Sequence, residues 1–127
     1  MKTFELNLTH EELEKRTHKD YLAPKIMLKA DAVEYNSLEE GDKIALNHLV
    51  KAANIIDKVF MMMDNHDNIE FLEYLKTKAA ENNVDAKMTL KLFLAQRGMN
   101  AIDTESNKIF LAKAQKNYPE KRFIRQI

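Results

Sequence analysis

The chain has 127 residues, and its 20 Lys+Arg balance its 20 Asp+Glu at formal net charge zero. That length suits one domain, and 45% hydrophobic content is enough for a core without staples. The neutral balance argues against a general nucleic-acid binder, and the absence of cysteine excludes disulfides, thiolate metal sites, iron–sulfur clusters and cysteine nucleophiles.

The first residues, Met1 to Asn7, contain no apolar run, so no signal peptide is expected. The longest strongly apolar stretch, Val59 to Met63, is far too short to span a bilayer. These features, with a cysteine-free composition that fits a reducing compartment, lead us to expect a soluble cytoplasmic protein without membrane contact. Two glycines and two prolines in the whole chain favour long helices. The expectation is an all-α domain spanning residues 1–127, with a short N-terminal arm (1–8) and a basic C-terminal tail (117–127).

In chain order, Thr9 and Glu12 form a capping-box pattern that opens a helix running to about Tyr21. Pro24 breaks it. Over Lys25 to Tyr35, Ile26, Met27 and Ala30 permit a helix, while Val33 and Tyr35 leave an extended reading open. Ser37 and Glu40 form a second capping-box pattern, ahead of the longest helix, about 38–63. Lys43, Asn47, Lys51, Asn54 and Lys58 form one narrow polar stripe on it, and nearly everything else is apolar. A helix so apolar around its circumference must be covered on several sides. We therefore expect it to be the central buried helix, with five or six helices in all packed around it in an orthogonal or bundle-like array. On that view Ile56→Ala costs about 2–5 kcal/mol and Lys51→Ala stays within about 0.5 kcal/mol.

Asp64 to Asn68 is a turn cluster. A helix from about Asp67 to Glu81 follows, with Phe71, Leu72, Leu75 and Ala79 on its apolar face, and Asn82-Asn83 stops it. Asp85 is the expected N-cap of the next helix, Ala86 to Arg97, and Gly98 the residue that ends it. Asp103 or Thr104 is the expected cap of a last helix reaching about Lys116.

Constellations with chemical potential are incomplete. His10-Glu11 resembles the start of the zinc-peptidase pattern His-Glu-x-x-His, but Glu14 stands where the second histidine belongs. His18 lies eight residues on, roughly 12 Å along a helix, so the two histidines cannot share one ion on a straight helix. The Asp64 to Leu75 stretch has Ile69 where a calcium loop needs glycine and Leu75 where it needs glutamate, so it reads as a polar inter-helix turn. Gly41 and Gly98 are too isolated for a phosphate loop. No cofactor or metal site is expected. Met61, Met62 and Met63 read as core filling at the end of the central helix rather than as an adaptable groove.

Charge is distributed unevenly. Asp31, Glu34, Glu39, Glu40 and Asp42 put five negative charges into a stretch with no positive residue. The C-terminal segment carries Lys113, Lys116, Lys121, Arg122 and Arg125 against Glu120, with Tyr118 and Phe123 available for stacking. The two stretches could meet within one molecule or between two copies. Lys113, Lys116, Tyr118, Lys121, Arg122, Phe123 and Arg125 are the candidate partner-binding residues, nucleic acid being the less favoured partner.

Leu28-Lys29-Ala30-Asp31, Ser37-Leu38, Lys43, Leu49, Ala52-Ala53 and Ile56-Asp57-Lys58-Val59-Phe60, with Arg97-Gly98-Met99-Asn100-Ala101-Ile102-Asp103 further on, make a pattern over about Leu22 to Phe110. It resembles the N-terminal helical part of the dipeptidyl peptidase III family of zinc metallopeptidases. Met99 and Asn100 stand in place of Pro-Trp in that family's Gly-Pro-Trp-Asp region, and the family's His-Glu-x-x-x-His zinc motif has no counterpart in this chain. The resemblance therefore implies a helical relative, or a fragment, without metal ligands or general base. The expected function is a non-catalytic helical interaction module, self-association included. The alternatives are a fragment or relic of a zinc dipeptidyl peptidase and regulatory nucleic-acid binding through the basic tail.

Overall fold

The computed structural model describes residues 2–23, 29, 31–102 and 108–113. Over these the chain is mainly helical, as expected: α1 (His10–Thr17), α2 (Val33–Asn36), α3 (Glu40–Asp64), α4 (Asn68–Ala80) and α5 (Val84–Gln96). A short hairpin follows, β1 (Asn100–Ile102) with β2 (Lys108–Phe110), paired antiparallel with Asn100 opposite Phe110 and Ile102 opposite Lys108.

The termini of the helices follow local side-chain chemistry. The Thr9 hydroxyl accepts from the Glu12 amide while the Glu12 carboxylate accepts from the Thr9 amide, so the first capping box forms in full. The second does not. Glu39 is the N-cap of α3 without a side-chain bond, and the Ser37 hydroxyl instead donates to the Glu34 carbonyl, closing off α2. Asn83 rather than Asp85 caps α5, its side-chain oxygen accepting from the Ala86 amide at 3.0 Å. An asparagine reaches a backbone amide from the N-cap as well as an aspartate does. Asn82 just before it takes the left-handed conformation (φ 63°) that asparagine tolerates, which turns the chain between α4 and α5.

The expected last helix is absent from the described part of its range. Residues 100–102 and 108–110 are strands, and Leu111 to Lys113 continue as extended chain. The N-terminal arm supplies the reason. The Asn7 amide donates to the Leu111 carbonyl, the Lys113 amide donates to the Glu5 carbonyl, and the Leu111 amide donates to the Met99 carbonyl. Pairing on both sides satisfies this backbone. The caps expected at Asp103 or Thr104, the break at Pro24 and the tail 117–127 lie outside the described residues.

The core is built by α1, α4, α5, the arm and the segment around the hairpin. Phe71, Leu75, Phe93 and Leu13 are fully buried, joined by Phe4, Leu72, Ala86, Leu92, Met99 and Leu111. Phe71 sits between Phe4 and Phe93, both in edge-to-face contact, with ring centroids 5.1 and 5.8 Å away. The pair α4–α5, not the longest helix, is the centre of the fold.

That overturns the expectation of a central buried helix at 38–63. Of α3 only Met61 is buried. Ile56, expected deep in the core, is 66% exposed, and so is Leu49. Apolar character around most of a helix states a demand for cover. It does not state that the same chain meets that demand, and the body of this molecule closes its core with Met61 as the single buried contribution of α3.

Candidate functional site

The α3 helix is attached to the body by its C-terminal end. Met61 inserts into the core there. The Arg97 guanidinium grips Asp57 through two nitrogens, Nε to Oδ1 at 2.9 Å and Nη2 to Oδ2. Arg97 itself adopts a left-handed conformation (φ 55°) at the end of α5, a conformation that a non-glycine residue holds only when its surroundings fix it.

Between these contacts sits Asn68, fully buried at the start of α4. Its amide nitrogen donates to the Met61 carbonyl at 2.7 Å and its oxygen accepts from the Met99 amide at 2.9 Å. One side chain thus joins the end of α3, the start of α4 and the turn after α5. Gly98 completes the joint. A Cβ there would lie 2.9 Å from the Asp64 carboxylate and 3.1 Å from Asn68 Nδ2, so any larger residue would displace the Asp64 side chain and crowd Asn68. The expectation that Gly98 ends α5 holds only loosely, because the left-handed residue is Arg97. Close by, Lys2 pairs with the buried carboxylate of Asp67 at 2.8 Å.

Beyond this joint the described residues of the body leave α3 uncovered. Ile44, Leu46, Leu49, Val50, Ile55, Ile56, Val59, Phe60, Met62 and Met63 are all exposed, Met63 to 81%. The methionine run is core filling at Met61 alone; Met62 and Met63 face outward. Apolar surface gathered on one element in this way marks an interaction site where single exposed apolar side chains would not. The polar stripe runs along the side away from much of this surface, with Lys51, Asn54 and Lys58 exposed. The acidic residues Asp31, Glu34, Glu39, Glu40 and Asp42 are all exposed around α2 and the N-terminal end of α3.

Of the partner-binding residues expected from the sequence, Lys113 is described. Its ammonium pairs with Glu5 at 2.6 Å and ties the arm to the end of the hairpin. Lys116, Tyr118, Lys121, Arg122, Phe123 and Arg125 lie outside the described residues. His10 Nδ1 bonds Asp85 Oδ1 at 2.5 Å and its Nε2 faces Glu14 Oε1 at 3.2 Å, which links α1 to α5. The hydrogen bond to Asp85, helped by both carboxylate charges, raises the imidazole pKa above its ordinary 6.5. His18 faces Asp20 instead. Among the described residues no group of three or more histidine, aspartate or glutamate side chains could hold a metal ion, and no helix is long and apolar enough to cross a membrane.

The α3 surface was not among the residues singled out from sequence, although a signal for it is present. Ala45, Leu49, Ala52, Ile56, Val59 and Met63 recur at spacings of four and three, the seam of a helix that packs along another helix. The chain matches no protein-family model, no curated protein and no solved structure.

Proposed function

We propose that this chain is a non-catalytic helical interaction module whose binding surface is the uncovered side of α3. The observation that carries the reading is the exposure of ten large apolar side chains along a helix anchored at one end by Met61, Asp57–Arg97 and Asn68. Burying an apolar side chain is worth about 1.5–3 kcal/mol, so such a surface strongly favours a partner over water. The joint keeps the helix attached while leaving its seam accessible. The non-catalytic part of the reading draws on the roles of the polar side chains. His10, Asp57, Asn68 and Arg97 are each occupied in holding elements together. We place the module in the cytoplasm, in line with its cysteine-free composition.

The test compares the natural chain with Leu49→Lys/Ile56→Lys by an environment-sensitive apolar dye and by light scattering. The natural chain is expected either to associate or to take up dye, and the double variant to do neither while keeping its helical signal. A natural chain that is monomeric and takes up no dye would overturn the reading.

The same surface supports a second reading. A helical part of a larger peptidase-like protein would leave one helix bare where the remainder packs. Co-expression with a following segment of the gene, if one exists, would then abolish dye uptake by the natural chain, whereas an unchanged signal counts against it.

A further inference from the structure

We infer that the occupant of the α3 surface is α3 of a second copy of this chain, packed antiparallel about a two-fold axis level with Asn54. The inference rests on the interaction reading above and adds the identity and direction of the partner.

The first argument is periodic. Ala45, Leu49, Ala52, Ile56, Val59 and Met63 continue a 4-3 spacing through most of α3, and all six are exposed. A seam of that period keeps facing a neighbour only if the neighbour is another helix at a shallow crossing angle. At 3.6 residues per turn the seam is centred about 140° around the helix from the Met61 and Asp57 side that rests on the body. The seam therefore faces away from the joint.

The second argument is size. Two arrangements of identical helices are possible. In a parallel pair each residue meets its own copy, so Ala45 and Ala52 form hollow layers alternating with the bulky layers of Leu49 and Ile56. In an antiparallel pair centred at position 54, Ala45 meets Met63, Leu49 meets Val59 and Ala52 meets Ile56. Each layer then combines a larger side chain with a smaller one, and the alanine layers are filled, as close packing requires.

The third argument is charge. Glu39, Glu40 and Asp42 crowd the N-terminal end of α3. Parallel pairing would set the two acidic ends side by side. Antiparallel pairing separates them by roughly the length of the helix, about 37 Å, and opposes the two helix dipoles.

The seam offers Leu49, Ile56, Val59 and Met63, all exposed, with Phe60 beside them, and twofold pairing buries each of them twice, on the scale of the roughly 800 Å² per partner that a stable interface needs. A lipid surface fits less well. Alanines at positions 45, 52 and 53 allow close approach of a backbone but add little to insertion among acyl chains, and the five carboxylates of residues 31–42 repel anionic headgroups.

The chain has no cysteine, so introduced thiols report on the pairing directly. Ala45→Cys/Met63→Cys is oxidised under native conditions and resolved on a non-reducing gel. Its two thiols lie roughly 27 Å apart along one helix, beyond the Cα separation of about 7 Å that a disulfide spans, so any bridge joins two chains. The expected result is a covalent dimer from the double variant and none from either single variant. Crosslinking of Ala45→Cys alone would overturn the antiparallel arrangement. Ile56→Lys, exposed in the single chain, is expected to retain the helical signal and shift the sedimentation mass from two chains to one. A natural chain that sediments as one chain up to about 100 μM overturns self-pairing. If such a monomer still takes up dye, and Leu49→Lys/Ile56→Lys abolishes the uptake, the α3 surface serves a different partner. If it takes up none, the interaction reading fails as well. Binding of the natural chain to anionic or neutral vesicles, lost in Ile56→Lys, would assign the surface to membrane instead.

Discussion

Helices α4 and α3 carry similar apolar side chains in opposite surroundings. Leu75 of α4 is fully buried while Leu49 of α3 is 66% exposed, and Phe71 is sealed among aromatic rings while Phe60 is open to water. The difference lies in what flanks each helix. The α4 helix is followed after a three-residue turn by α5, and α1, the arm and the hairpin segment close around that pair. The α3 helix reaches this assembly only at its last turns, through Met61 and the Asn68 joint. Stability therefore resides in the body, and binding capacity resides in the part the body does not use.

The largest expected effect sharpens that division. Phe93→Ala removes a fully buried ring from the body and should cost about 3–5 kcal/mol. Phe60→Ala, at a half-exposed position on α3, should stay within about 1 kcal/mol for the dilute single chain. Chemical denaturation of both variants at low protein concentration checks this. Equal losses would mean that α3 belongs to the cooperative core after all.

Next comes the joint. Asn68→Ala leaves the Met61 carbonyl and the Met99 amide without their side-chain partner in a buried place, which should cost about 1–3 kcal/mol. The loss should be local. Amide exchange should accelerate around residues 57–64 and 97–99, while α4 and the middle of α5 stay protected. Uniform acceleration across the body would show that the joint is part of the core and not a coupling between two regions.

A third, smaller effect corrects an expectation drawn from the sequence. The sequence pattern, which makes its helix central, predicts a costly Ile56→Ala. With Ile56 exposed, the change should alter the dilute chain by no more than about 0.5 kcal/mol and act on association instead. Sedimentation over a range of concentrations should show weaker pairing with an unchanged denaturation midpoint at the dilute end.

Much of the fold was legible because it depends on local chemistry. Thr9 and Glu12 announce the start of α1, the Phe71, Leu72 and Leu75 spacing announces α4, and Asn82-Asn83 announces the turn after it. The hairpin was not legible, because residues 108–110 are held by β1 and residues 111–113 by the N-terminal arm about a hundred positions away, partners that no local pattern announces. The candidate site was half legible. The unusual apolarity of α3 was evident, but periodicity within one chain does not distinguish a helix wrapped by its own domain from one that waits for another molecule. What separates the two is whether α1, α4 and α5 can close a core by themselves, and that depends on how Phe4, Phe71 and Phe93 meet in space.

The smallest expected effect lies wholly within the body. His10 links α1 to α5 through Asp85, and that hydrogen bond raises its pKa above 6.5. Because the folded-state value is raised, the protonated link contributes its full stabilisation below about pH 6.5, the unfolded-state value. The contribution is lost as pH rises through the higher folded-state value. The denaturation midpoint of the natural chain should therefore fall slightly over that interval, and His10→Gln should remove this component of the pH dependence. The imidazole is exposed, so added salt should shrink the effect. If α3 hangs from the body only at its C-terminal end, its amide exchange and its pairing should not follow this titration. A shift in pairing at the same pH as the midpoint would show the two regions to be coupled, and would move the boundary between them to the contacts of α1.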